Sequence, residues 1–318
     1  MPLLEIQDLV VRYRRPGREP LEALKGVSLA IGAGEALGIV GESGCGKSTL
    51  VRAVVGLVAP HGGSIRYEGA ETSGFDRAGR ERYCRGVQMV FQDATGSLNP
   101  RLTVRQMLCE VLRVHGIVES AECGVRSAEC GVRNAECGVR NADCGVQSAE
   151  YDASGVDGRV SPSARDIPHS AFRTPHSAVI VRLLHEVGLP PEAADAYPRE
   201  LSGGQCQRVS LARCLALGPR VLLADEPVSA LDVSVQARVL NLLRDLQRRR
   251  GLALVLVSHD LAVVRTVCDR VCVLLDGRIV EQGAVDDVLE RPQHPYTRTL
   301  LDAVPDIDRA LAAVTATR

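Results

Sequence analysis

Residues Gly41-Glu-Ser-Gly-Cys-Gly46-Lys47-Ser48 follow the spacing G-x-x-x-x-G-K-[ST]. Glycines lack a Cβ, so successive backbone N–H groups can close around an anion, and a helix opening at Lys47 adds its positive end. Lys47 can then reach the β and γ phosphates of a nucleotide while Ser48 ligates Mg²⁺. With Thr49 in the same turn, the run Gly41, Glu42, Ser43, Gly44, Cys45, Gly46, Lys47, Ser48 and Thr49 is one candidate phosphate cradle. A second pattern, Val221-Leu-Leu-Ala-Asp225-Glu226, ends an apolar run in two carboxylates. Their roles are complementary: Asp225 can hold Mg²⁺ through water, and Glu226 can orient and deprotonate an attacking water. An acidic pair after an apolar run is common by itself, and it is the preceding phosphate loop that gives this one meaning.

Such residues act together only if strands and helices deliver them to one place. GEALGIVG (34–41) has the pattern of a strand and residues 47–58 that of a helix, which makes strand, Gly-rich loop, helix. Residues 3–13 alternate as a strand, and Lys25 in LKGVS reads as a turn before another. VQMVF (87–91), VLLAD (221–225) and LALVLVS (252–258) are short apolar runs of buried-strand type separated by helix-like stretches. The alternation predicts an α/β fold with a largely parallel sheet. Between Pro100 and Leu201 the pattern changes to the amphipathic helices TVRQMLCEVLRVHG (103–116) and VIVRLLHEVG (179–188), so a helical subdomain is expected inside the α/β core.

Composition removes several classes of partner. Lys and Arg together number 38 against 39 Asp and Glu, so no global basic field recruits nucleic acid or an anionic membrane surface. Only Lys25 and Lys47 are lysines, which leaves 36 arginines, an imbalance that fits a GC-rich coding bias. At 45% hydrophobic and 24% charged, the 318-residue chain has the makeup of a globular protein. No apolar run approaches the roughly 20 residues that span a bilayer. The opening MPLLEIQDLVVRYRR lacks a signal-peptide pattern, so the chain is expected in the cytosol and its 11 cysteines as thiols.

Residues 120–150 form a direct repeat of period seven, SAECGVR, SAECGVR, NAECGVR, NADCGVQ, SAE, with Cys123, Cys130, Cys137 and Cys144 in phase. A coiled coil is disfavoured because each repeat carries a glycine costing about 1 kcal/mol in a helix, and zinc because C-x6-C lacks the paired spacing of structural sites. The genetic code offers a better account. Written as GCG GAA TGC GGA GTG CGG AAT, the string AECGVRN has a reverse complement that translates as IPHSAFR, the residues at Ile167–Arg173. TPHSA (174–178) repeats that antisense string, so residues 117–178 read as an inverted DNA repeat translated on both arms. The gene must then contain two arms able to pair. Without these 62 residues, 256 remain, one domain's worth of chain.

Leu201-Ser-Gly-Gly-Gln205, continued by CQRVSLARCLA, resembles the signature motif of the ATP-binding cassette ATPases. In that family's order stand Gln92 in VFQD, Ser229–Asp232 (SALD) and His259 in VLVSHD, which resemble its Q-, D- and H-loops. Tyr13 matches its adenine-stacking aromatic, although a tyrosine on a strand edge has an ordinary reading too. The resemblance implies a P-loop, RecA-like core with an antiparallel β subdomain and an inserted helical subdomain. It implies ATP as substrate with Mg²⁺ at Ser48, Gln92 and Asp225, and catalysis by Glu226, His259, Gln92 and Lys47. It also implies a head-to-tail dimer in which Ser202, Gly203, Gly204, Gln205 and Asp232 complete the partner's nucleotide site. The core would occupy 1–92 and 206–282, the helical subdomain 93–205 and a tail 283–318.

FQDATGSLNPR (91–101), EPVSALDVSVQARVLNLL (226–243) and RPQHPYTRTLLDAVP (291–305) are similar to the oligopeptide, dipeptide and nickel importer ATPases. PLLEIQDLVVRY and the lack of cysteine after Cys272 resemble the second, F-type ATPase of such pairs. The implied partners are a second ATPase subunit, identical or homologous, two transmembrane permease subunits and, indirectly, an external substrate-binding protein, with no nucleic acid. The implied location is the cytoplasmic face of the membrane. Ala94-Thr95 departs from the family's aromatic after the Q-loop, and the repeat interrupts the subdomain that would touch the membrane subunit. A non-transport cassette ATPase and an ATP-binding subunit uncoupled by the repeat remain as alternatives.

Overall fold

A computed structural model describes residues 1–117, 175–229 and 231–303. The chain opens with two long antiparallel strands, β1 (Leu4–Arg15) and β2 (Arg18–Ile31). Leu4 and Ile6 face the core, yet so do Leu9 and Val11, a change of parity. The register shifts between Ile6 and Leu9, where Asp8 takes φ 49°, so one extra residue returns the apolar set to the core face. Lys25 is not in a turn before a strand. It lies within β2 opposite Val10, and its Nζ donates to Asp276 Oδ2 at 2.6 Å. The turn-like signal came from Gly26, which supplies φ 83° without breaking the strand.

β3 (Ala36–Val40) leads into α1 (Lys47–Val54), and β4 (Gly62–Tyr67) and β5 (Ala70–Glu71) complete a four-stranded sheet of order β2-β1-β4-β5. α2 (Arg77–Gly86) then precedes β6 (Val87–Val90). The helical region contains α3 (Ala94–Ser97), α4 (Val104–Val114), α5 (Pro175–Glu186) and α6 (Gly203–Leu215). β7 (Val221–Asp225), α7 (Val233–Arg250), β8 (Ala253–Val257), α8 (Leu261–Val267), β9 (Arg270–Leu275) and β10 (Arg278–Ala284) return to the core. α9 (Val285–Glu290) and α10 (Pro295–Asp302) end the described chain.

The second sheet has the order β10-β9-β3-β8-β7-β6, parallel throughout except for β9 with β10. Its central strands β3, β7 and β8 bury both faces, as their near-continuous apolar runs require, whereas the edge strand β10 is partly exposed. Val221, Leu223, Val255 and Val257 enter one core with α1 and the antiparallel sheet, whereas Leu222, Ala224, Leu254 and Leu256 enter another with the helical region. Strand alternation therefore sorts residues between two cores.

Helical spacing organises the inserted region. Val104, Met107, Leu108 and Leu112 on α4 are buried, as are Ile180, Leu183, Leu184 and Val187 on and just after α5. Thr103 and Gln106 form a capping box at the start of α4, and Arg105 pairs with Asp195 at 2.8 and 3.0 Å. α5 begins at Pro175, inside the 117–178 segment, since proline at the first helical position has no N–H to lose. The direct repeat itself lies outside the described residues.

Candidate nucleotide-binding and catalytic site

Four parallel strands point their carboxyl ends at one cleft, the position where open α/β sheets bind ligands. β3 delivers the Gly41–Ser48 loop, β6 delivers Gln92, β7 delivers Asp225 and Glu226, and β8 delivers His259. Gly41 and Gly46 take φ 151° and 113°, and a Cβ there would approach Leu274 O at 2.2 Å and Ala23 O at 2.6 Å. Only glycine lets this loop lie so close to neighbouring backbone. Gly46 is also the N-cap of α1 and makes no side-chain cap bond, so an anion meets the helix N-terminus without competition from a capping side chain.

Lys47 is 5% exposed, and its Nζ donates to Gly41 O at 2.7 Å and Glu42 O at 2.8 Å. An ammonium has three donors: two hold it to these carbonyls, Cys45 Sγ lies 4.0 Å away, and the residue still lines the cleft. Ser43, Gly44, Gly46, Lys47, Ser48 and Thr49 line an open cavity of about 710 Å³ together with Tyr13, Gln92 and Glu226. Tyr13 stands at its rim, 37% exposed, with its hydroxyl 3.4 Å from Thr49 Oγ1. That is a position open to a stacking base. Gly41, Glu42 and Cys45 shape the loop from behind; burial pushes the Cys45 thiol up, against the opposing charge of Lys47.

Ser48 Oγ donates to Asp225 Oδ1 at 2.9 Å, bringing together two residues 177 apart in the chain. Asp225 is buried, and burial raises its carboxyl above the ordinary value, opposed by the Ser48 hydrogen bond and nearby Arg52. A buried carboxylate oxygen beside a hydroxyl is a hard-oxygen donor set of the kind Mg²⁺ takes when phosphates and waters supply the rest. Glu226 adopts φ 46°, unusual for a residue with a Cβ, and its backbone N–H donates to Val257 O. The resulting carboxylate meets Gln92 Nε2 at 3.1 Å and lies 3.6 Å from His259 Nδ1. Gln92 Nε2 also reaches Ser229 Oγ at 3.2 Å, a contact that residue patterns alone did not assign.

The signature residues stand apart from this cluster. Ser202 is the N-cap of α6, where its side chain and that of Gln205 form a reciprocal capping box. None of Ser202, Gly203, Gly204, Gln205 and Asp232 lines the phosphate-loop cavity. Gly203 instead borders a neighbouring cavity with Asp93, Thr95 and Leu231, and a Cβ on Gly204 would meet Val235 Cγ1 at 2.3 Å. Asp232 caps the start of α7 through its backbone carbonyl, which accepts from Val235 and Gln236. Tyr296 is a further residue that sequence patterns did not single out: its hydroxyl accepts from the Glu42 N–H at 2.9 Å.

Known proteins resemble this chain in sequence and in fold. Residues 24–229 match the ABC transporter family, and residues 280–317 match the C-terminal region of oligopeptide/dipeptide transporters. The chain is 40% identical over 307 residues to a putative peptide import ATP-binding protein of Brucella ovis, covering 96% of this chain and 80% of that one. It is 39% identical over 312 residues to the oligopeptide transport ATP-binding protein OppF of Escherichia coli K12, covering 95% and 78%. Among solved structures, the dimeric ATP-binding cassette MJ0796 in a post-hydrolysis state with ADP and Pi superposes with a TM-score of 0.63 at 25% identity, covering 89% of this chain and 98% of that chain. The cassette cbiO1 from Clostridium perfringens shares the fold at 0.64 and 23%, covering 97% and 98%. Strand-end chemistry, family match and relatives converge on one assignment: the chain belongs to the ABC transporter family and is one of its ATP-hydrolysing cassettes.

Proposed function

We propose that this cassette powers an importer for di- or oligopeptides, or for a related cargo such as nickel, from the cytoplasmic face of the membrane. The observation that carries it is the meeting of Lys47, Ser48, Asp225, Glu226, His259 and Gln92 at the strand ends, in a chain whose tail matches the oligopeptide/dipeptide transporter region. Tyr13 stacks on the adenine, the Gly41–Thr49 loop wraps the phosphates, and Lys47 steadies the β and γ oxygens. Ser48 and Asp225, with the amide oxygen of Gln92, would hold Mg²⁺, which would supply charge neutralisation on the phosphate oxygens. Glu226 accepts a proton from the attacking water, and His259 contacts the γ-phosphate and positions that water.

Because Ser202, Gly203, Gly204, Gln205 and Asp232 lie outside their own chain's cavity, they serve the nucleotide of a second cassette, identical or homologous. Closure of the pair then moves the helical region against two transmembrane permease subunits, with an external binding protein choosing the cargo. No helix among the described residues is long and apolar enough to cross a membrane. The test is ATP turnover by the chain with and without the permease subunits of an oligopeptide importer, in vesicles with that importer's binding protein. Stimulation with peptide uptake is expected; ATP turnover indifferent to those subunits would reject the importer reading.

A further inference from the structure

The tail that matches the oligopeptide/dipeptide transporter region is wired to the phosphate loop through one hydroxyl. Glu281 on β10 accepts from the Gln293 and His294 amides at 2.8 and 3.1 Å and from the Thr297 hydroxyl, and Thr297 is fully buried. These bonds seat the start of α10. Tyr296, the neighbouring residue, thereby places its hydroxyl 2.9 Å from the Glu42 N–H. That N–H belongs to the Gly41–Glu42 peptide, and the carbonyl of the same peptide accepts from Lys47 Nζ at 2.7 Å. One planar unit is thus held at both ends, by the tail on its N–H side and by the phosphate-binding lysine on its oxygen.

We infer that Tyr296 is a positioning residue for Lys47: by fixing the plane of the Gly41–Glu42 peptide, it holds the ammonium in place at the wall of the nucleotide cleft. The loop around that peptide is restrained by the packing of Gly41 against Leu274 O and by the Cys45 N–H, which donates to Glu42 O at 3.3 Å, while the Tyr296 hydroxyl holds the peptide's own N–H. A rotated plane withdraws one of the two carbonyls that orient the ammonium, so the cost falls on contacts to the β and γ phosphates and not on the base. The tail in this way contributes to ATP binding without touching ATP. This rests on the reading of the Gly41–Thr49 loop as the ATP site.

Equilibrium titration of the full-length chain with Mg-ATP, Mg-ADP and AMP tests both readings separately. Tyr296→Phe keeps the ring and removes the oxygen. It is expected to weaken ATP and ADP about three- to tenfold, the range of one lost hydrogen bond, with AMP affinity and melting temperature unchanged. Equal affinities for wild type and Y296F overturn the inference, as does an equal loss for all three nucleotides or a loss that follows a lowered melting temperature. Those results leave the ATP site intact. Lys47→Ala is the arm for that site: if it binds Mg-ATP as well as wild type, the site reading fails and the inference with it.

Discussion

Two glycine-containing helix starts face opposite situations in this molecule. At α1 the Gly46 cap carries no side-chain hydrogen bond, and the loop before it opens onto a cavity already furnished with Ser48, Gln92 and Glu226. At α6 the cap is closed on itself by Ser202 and Gln205, and its residues are absent from that cavity. On the proposed reading, one chain builds a nearly complete phosphate and water site and only displays the groups that would finish another. Gly204 also has a packing reason to exist, because Val235 presses where its Cβ would be. Glycines at both helix starts answer to packing as well, since Gly41 and Gly46 lie against Leu274 O and Ala23 O.

The contrast breaks most readily at Glu226. Glu226→Gln keeps the contacts to Gln92 and His259 in shape but removes the base, so hydrolysis should fall about 100- to 10,000-fold while ATP binding persists and traps the closed pair. Full turnover measured in a phosphate-release assay would remove Glu226 from that role. At the other helix start, Ser202→Ala should leave ATP affinity of the isolated chain within about twofold. ATP-driven association, followed by sedimentation, should weaken about tenfold or more, as expected for a lost hydrogen bond to a charged group. If instead the monomer's affinity collapses, the two helix starts are not separate half-sites. The smallest effect belongs to the repeat. Replacing 118–174 by a short linker between Ile117 and Pro175 should leave nucleotide affinity and melting temperature nearly unchanged, since loop length enters stability only logarithmically. Loss of folding in circular dichroism would give that segment a structural role.

Legibility from residues differed by kind of feature. β3, β6, β7 and β8 fell where apolar runs between loop signals put them, and α4 and α5 where the helical period did. Those patterns are local, set by which face each residue must bury. Lys25 went the other way: Gly26 looks like a turn in the sequence, but pairing with Val10 and the ion pair to Asp276 keep β2 running through it. Pairing partners more than ten residues away overrode a local signal. Ser229 in the SALD run and Tyr296 in the tail could be read in the sequence as residues but not as contacts, since their partners Gln92 and Glu42 are 137 and 254 residues distant.

By itself the sequence determined the chemistry on offer: a glycine loop with Lys47, a strand ending in Asp225-Glu226, a glutamine, a histidine and the LSGGQ cap, each specified by residue type and short spacing. Tertiary structure decided which of them meet. Parallel strand order brings Ser48 to Asp225 and Gln92 to Glu226 while Ser202 stays outside the cavity they line, because sheet topology is written in long-range pairing and burial and not in any local run of residues. It also brought the tail to the phosphate loop, turning Tyr296 from a surface tyrosine into a neighbour of the peptide that holds Lys47.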